Sequence, residues 1–404
     1  MKSTLITIGD ELLIGQVIDT NSAFIAQRLN EIGIAVHKRI AISDDLKEIQ
    51  TTITEAWKTA PIIITTGGLG PTKDDITKKA IADLFGVGFK RDEQTFKHVK
   101  AFFESRNVPF LPVNEAQSDV PENAYVLFNA RGTAPGMWFE HEGKILICLP
   151  GVPYEMEYLI QTYLLERLQK KYNLPSLYYA YIQTSGLGES FLAKKIEHIE
   201  SSIGEGISLA YLPSPMAVNL RLSGNFDQKT EIDNYANQIR EVLKEYIYGD
   251  SKSPIEELVF QTLKDQNKTI TLVESCTGGY ISNLVTNNSG SSAVYKGGWN
   301  VYTDEFKTSQ LLIEHELLNT YSAVSEECAK SLLSLALTKT QADYGIAVVG
   351  YLEKFGEYKP HAYIAYGQSD KIRIKRIDLF YPRTKNKEAI ARVALVSLYK
   401  EFLI

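Results

Sequence analysis

The chain has 404 residues, 44% hydrophobic and 23% charged, with a formal net charge of −6. That is the make-up of a soluble globular protein of about two to three domains, and the acidic balance argues against a broad nucleic-acid surface. No apolar run approaches the ~18 residues needed to span a membrane. No signal peptide is expected, because Asp10 and Glu11 interrupt any early apolar stretch. Cys148, Cys276 and Cys328 lie far apart and make neither a metal spacing nor a disulfide framework, and the six histidines show no ligand pattern. The expected setting is the cytoplasm, with small-molecule rather than nucleic-acid or membrane partners.

In chain order, Thr4 to Ile8 reads as a strand that ends in Gly9-Asp10-Glu11. A helix starts at Asn21, with Phe24, Ile25, Leu29 and Ile32 on one face, and Gly33 closes it. Ile34 to Ile42 reads as a strand and Leu46 to Trp57 as a helix. Ile62-Ile63-Ile64 is a third strand. It runs into Thr65-Thr66-Gly67-Gly68-Leu69-Gly70-Pro71-Thr72-Lys73-Asp74-Asp75, followed by a helical pattern from Ile76 to Phe85. Strand–helix alternation predicts a parallel sheet flanked by helices. Ligands of such sheets bind beyond the carboxyl ends of the strands, where both acidic loops fall, so the two can share one pocket.

The turn has the chemistry of a phosphate site. Gly67, Gly68 and Gly70 permit close backbone approach, and their N–H groups, with Thr72 and the start of the next helix, can hold an anion. Asp10, Glu11 and Asp74 are candidate ligands for a hard divalent cation, and Asp74 and Asp75 are candidate catalytic carboxylates. A structural alternative stands beside this reading. Thr72 and Asp75 have capping-box spacing and can simply start the helix.

Phe110 to Val120 shows little periodicity and is expected to wander over the surface. Lys144 to Leu149 reads as a strand followed by Pro150-Gly151-Val152-Pro153 and a helix from Tyr154. Glu155, in its first turn, is expected to complement the helix dipole. The first unit ends near residue 172. Tyr178 to Tyr248 reads strand, helix (Phe191 to Ile199), two strands (Ile207 to Leu212, Ala217 to Leu222), helix (Ile232 to Tyr246): a small α+β module. Asp250 to Pro254 reads as a linker, with Pro254 suited to a first helical turn.

In the third unit, strand Thr269 to Val273 runs into Glu274-Ser275-Cys276-Thr277-Gly278-Gly279 and a helix from Tyr280 to Thr286. A hydroxyl on such a turn can be exposed beside oxyanion-stabilising N–H groups, here those from Cys276 through Thr277 and Gly278 to Gly279. A nucleophilic serine needs a base. Lys307 qualifies only where its surroundings favour the neutral amine. On residues alone, Ser275 as a helix cap and Lys307 as a solvated lysine remain the simpler alternatives.

The motifs GDELLIGQVIDTNSAFIAQRL, TTGGLGPTKDD and LPGVPYEM, with ESCTGG, SGSSAVY, VYTDEFK and SAVSEE, resemble the CinA (competence/damage-inducible) family along nearly the whole chain. The resemblance implies an α/β fold in three parts. These are a three-layer α/β/α molybdopterin-binding-like domain over 1–172, a small α+β KH-like linking domain over 173–251, and an α/β CinA C-terminal domain over 252–404. It implies metal-dependent ADP-ribose pyrophosphatase activity in the first, with a divalent cation as cofactor. In the third it implies a nicotinamide mononucleotide deamidase needing no cofactor, with Ser275 as nucleophile, Lys307 as base, and Tyr302 and Arg383 among the substrate-binding residues. A homodimer is also expected. Non-catalytic nucleotide or molybdopterin binding, and a molybdopterin-handling transferase, are the alternatives. Three features depart from the deamidase pattern: Val349 to Gly356 replaces a segment like TGIAGPGG, Thr303-Asp304 replaces Ser-Asn, and Lys387 replaces an arginine.

Overall fold

The computed structural model describes residues 1–72 and 75–404 and divides into two units, Met1–Leu177 and Tyr178–Ile404.

The first unit is built on a six-stranded sheet of order β2-β1-β3-β8-β7-β6. Its strands are β1 (Lys2–Ile8), β2 (Ala35–Ile42), β3 (Ile62–Thr66), β6 (Tyr125–Leu127), β7 (Gly136–His141) and β8 (Lys144–Leu149); β4 (Phe89–Arg91) and β5 (Asp119–Pro121) form a separate ribbon. Strands β2, β1, β3 and β8 are parallel, as the strand–helix alternation predicts. The sheet then turns antiparallel through β7 and β6, a hairpin edge the alternation does not anticipate. Glu142 and Gly143, both at positive φ, make the tight turn from β7 to β8, which suits the twist of paired strands.

Alternation along the strands explains the layers. Leu5, Ile62, Ile64, Ile145 and Ile147 pack to one face with Ile25 and Leu29 of helix Thr20–Glu31 and Met156 and Leu159 of helix Pro153–Leu159. Ile6, Ile8, Ile63, Leu146 and Cys148 pack to the other with Ile49 and Ile53 of helix Leu46–Ala56 and Ala80 and Ile81 of helix Thr77–Phe85. A period of two thus fills two cores from one sheet. Truncating fully buried Ile63 to Ala would cost about 2–5 kcal/mol.

The stretch expected to wander, 110–120, instead forms a helical turn (Pro112–Glu115), a 3-10 turn (Ala116–Ser118) and the start of β5. Lys78 holds it: its half-buried ammonium donates to the carbonyls of Ala116, Gln117 and Asp119 at 3.0, 3.3 and 3.0 Å.

In the second unit, β9 (Leu177–Ser185), β10 (Ser208–Ser214), β11 (Ala217–Asn225) and β12 (Ile247–Gly249) form a sheet of order β10-β11-β9-β12, with helices Glu189–Glu200 and Lys229–Leu243 sharing its core. A five-stranded sheet follows, of order β14-β13-β15-β16-β17, from β13 (Ile270–Glu274), β14 (Tyr295–Asn300), β15 (Tyr344–Tyr351), β16 (His361–Gln368) and β17 (Lys371–Asp378). Here β14, β13 and β15 are parallel and β16 and β17 antiparallel, with apolar cores on both faces. Pro254 is the N-cap of helix Ile255–Asp265 rather than a residue of its first turn. Among the described residues no helix is long and apolar enough to cross a membrane.

Candidate functional site

At the carboxyl ends of β1, β3 and β8, three loops enclose a cavity of about 390 Å³. Gly9 and Glu11 come from the first loop, Thr66 to Pro71 from the second, and Pro150 to Pro153 from the third; Asp44, from the loop after β2, also lines it. The two acidic loops do share one pocket. Asn21 ties two of them together: its Nδ2 donates to Thr66 Oγ1 at 3.1 Å and to the Gly151 carbonyl at 2.7 Å. Its position at a helix start masked this cross-link in the sequence.

The glycine turn is shaped by what it packs against inside the protein. Gly67 and Gly68 have φ of 115° and 64°. A Cβ on Gly67 would collide with the Ile8 carbonyl, and one on Gly68 with the Thr77 hydroxyl. A side chain at Gly70 would meet the Asp75 carboxylate. The small residues therefore let the turn settle onto β1 and the next helix, leaving room for a ligand on the cavity side.

The expected carboxylates separate into different roles. Asp75 accepts from Gly70 N–H and Thr72 N–H, both at 2.8 Å, and from the Thr72 hydroxyl. It closes the turn, and the helix begins only at Thr77, with Ile76 as its cap. This corrects the capping-box alternative, and it occupies the side chain expected to act as catalyst. Thr72 is exposed and does not line the cavity. Glu11 lines it, its carboxylate lying over Gly9. Asp10 does not; its N–H donates to Asp44 Oδ2 at 3.2 Å, and Asp44 is the carboxylate that sequence reasoning left out. Asp74, expected as both ligand and catalyst, lies outside the described residues.

Glu155, in the first turn of its helix as expected, also lines the cavity and is buried. Its Oε2 accepts from Asn129 Nδ2 at 2.6 Å. Burial raises its pKa above the ordinary carboxyl value, with Asn129 and Tyr154 opposing the shift.

In the second unit, the carboxyl ends of β13, β14 and β15 feed a cavity of about 450 Å³ lined by Ser275, Cys276, Tyr302, Asp304, Lys307, Tyr351, Glu353, Phe355 and Arg383, among others. Ser275 and Lys307 thus face one space. Ser275 does not cap the helix. Glu274 does so from the strand end, its carboxylate accepting from Ile281 N–H at 3.0 Å, Ser282 N–H at 2.7 Å and Ser282 Oγ at 2.6 Å. Cys276 is no rival nucleophile, because burial pushes its thiol up to about 12. Lys307 is buried, not solvated, and its Nζ donates to Asp304 Oδ1 at 2.9 Å. Thr277, Gly278 and Gly279 belong to the same turn without lining the cavity. The Thr277 hydroxyl is buried and unpartnered, and Lys387 Nζ lies against Gly278.

Arg383 is engaged within the chain. Its guanidinium donates to Glu353 Oε2 at 3.2 Å and to the Tyr302 hydroxyl at 2.8 Å. Glu353 belongs to the segment that replaces the glycine-rich pattern. In that segment Tyr351 stacks on Phe355 and Tyr358, with ring centroids 5.2 and 5.3 Å apart, while Leu352 turns into the core.

Fold and cavities together define a modular α/β protein with a candidate ligand cavity in each unit. Family profiles agree part by part: "Probable molybdopterin binding domain" matches residues 4–170, "Damage-inducible protein CinA KH domain" 180–249, and "CinA C-terminal domain" 252–402. A CinA-like protein of Flavobacterium psychrophilum is 39% identical over 416 residues, covering 100% of this chain and 99% of its own length. One from Cytophaga hutchinsonii is 37% identical over 407 residues, covering 99% and 97%. A solved CinA structure from Thermoplasma acidophilum, described as of unknown function, is 32% identical and covers 42% of this chain and 96% of its own, with a TM-score of 0.37. The chain belongs to the CinA family.

Proposed function

We propose that the chain is a bifunctional hydrolase of pyridine nucleotide metabolism: a metal-dependent ADP-ribose pyrophosphatase in the N-terminal cavity and an altered Ser/Lys nicotinamide mononucleotide deamidase in the C-terminal one. One observation carries the first half. Glu11, Asp44 and the Thr66–Pro71 turn meet in a single cavity.

Among the described residues no group of three or more His, Cys, Asp or Glu could hold an ion by itself. Glu11 and Asp44 fit a cation of the magnesium type, which takes one or two carboxylates and completes its shell with water and substrate phosphate oxygens. When bound, such an ion would neutralise a diphosphate bridge and make water a better nucleophile. The chain's own residues do the positioning. Within that turn the Gly68 and Leu69 amides would receive a phosphate, because Gly67 N–H donates to the Leu149 carbonyl at 3.1 Å and Gly70 N–H to Asp75; Asp75 keeps the turn closed, and Asn21 locks it to the Gly151 turn.

In the C-terminal cavity, Ser275 attacks the carboxamide carbon, its proton passes by way of Lys307 Nζ to the amide nitrogen that leaves as ammonia, and water then releases the acid. The Asp304 partner on Lys307 and the Glu353 partner on Arg383 oppose this chemistry, which supports an activity much reduced or redirected.

A second reading, non-catalytic nucleotide or molybdopterin binding, is favoured by the Asp75 carboxylate being taken up by its own turn. Incubating the purified chain with ADP-ribose and divalent metal separates the two. Release of AMP supports the pyrophosphatase, and binding without turnover supports the second reading.

A further inference from the structure

One wall of the N-terminal cavity is made of buried hydrogen-bond acceptors. Glu155, 7% exposed, is fixed by Asn129 Nδ2. Asn129 also donates to the Ala134 carbonyl at 2.9 Å and accepts from Arg131 and Gly132 N–H at 3.0 and 3.1 Å. The 131–134 segment is thereby pressed against the carboxylate so closely that any side chain at Gly132 would collide with it. From the neighbouring turn comes Gln117, 2% exposed. Its Nε2 donates to Thr133 Oγ1 at 2.9 Å, and its Oε1 is buried with no partner. Gln117, Thr133, Ala134 and Glu155 all line the cavity, and among the described residues no lysine or arginine does.

A buried acceptor without a donor is costly unless a ligand supplies one. Lined by acceptors and, among the described residues, by no lysine or arginine, this wall offers phosphate no partner and suits an uncharged group bearing several donors. The neighbour of the diphosphate in a nucleoside diphosphate compound is a pentose, whose vicinal hydroxyls are such a pair. We propose that Glu155 and Gln117 form a sugar-diol subsite that selects ribose over deoxyribose substrates. This deepens the pyrophosphatase reading and rests on it.

The test compares ADP-ribose with analogues lacking the 2′-hydroxyl on one ribose or the other, by hydrolysis kinetics and by calorimetric binding, in wild type, Glu155→Ala, Glu155→Gln and Gln117→Ala. For wild type, loss of the recognised hydroxyl should weaken binding about tenfold to a hundredfold, falling on KM more than on kcat. Glu155→Ala should bind ribose and deoxyribose forms alike, and Glu155→Gln, which keeps the acceptor facing Asn129, should retain part of the preference. Wild type that binds and hydrolyses both forms equally would overturn the subsite and leave the pyrophosphatase standing. Failure to bind or hydrolyse any of these compounds would overturn both. An unfolded Glu155→Ala protein leaves the wild-type and Gln117→Ala comparisons to decide.

Discussion

Lys307 Nζ donates to Asp304 Oδ1 at 2.9 Å from a side chain that is only 3% exposed. The pair sits in one helix, three residues apart, beside the Ser275 turn that shares its cavity. The Asp304 carboxylate thus engages the nitrogen that would have to receive the serine proton. Replacing Asp304 with Asn should raise ammonia release from nicotinamide mononucleotide at least tenfold over wild type, with Ser275→Ala abolishing it. Because Asp304 is largely exposed, the stability cost should stay near 1 kcal/mol.

Glu353 occupies the guanidinium that a phosphate would use. Removing it as Glu353→Ala should free Arg383 and tighten binding of inorganic phosphate or nicotinamide mononucleotide about tenfold, since arginine–phosphate pairs are charge-assisted. Titration calorimetry reads this directly, and adding Arg383→Ala should remove the gain. Unchanged affinity would mean that the Glu353 pair does not compete with ligand.

Lys78 anchors the turn that carries Gln117. Burial lowers its pKa to about 8, against the raising influence of the Asp119 and Asp75 carboxylates. Lys78→Met should leave three carbonyls without their donor and cost about 1–3 kcal/mol in denaturant unfolding. If the turn loosens as this bonding requires, KM for ADP-ribose should rise as well.

Glu155 trades stability for its place in the cavity. Its folded-state pKa lies above the unfolded value, so its stabilising share is complete only in acid and is lost as pH rises through the folded value. Glu155→Gln removes that buried charge. The variant should melt higher than wild type at neutral pH, and the gap should close as pH falls toward the ordinary carboxyl range. A constant gap across pH would assign the difference to packing instead.

Much of this was legible from periodicity. The faces of Ile25, Leu29, Ile49 and Ile53 and the β1–β3 alternation follow from spacing alone, because each side chain's burial is set by its own element. Roles set by distant contacts were not. Glu155 looks like a helix-start acid until Asn129, 26 residues earlier, folds against it. Lys307 looks solvated until its helix is packed on the sheet. Asp44 carries no motif and reaches the cavity only because β2 lies beside β1. The β7–β8 hairpin turns on Glu142-Gly143, which strand–helix alternation does not address.

We propose that the loops after β1, β2 and β3 make one phosphate- and metal-dependent hydrolytic site. The direct measurement is AMP release from ADP-ribose by the full chain with magnesium, in wild type and in Glu11→Gln. Release should stop on chelation and fall at least a hundredfold in the variant. No AMP from wild type, or undiminished release from Glu11→Gln, would contradict it.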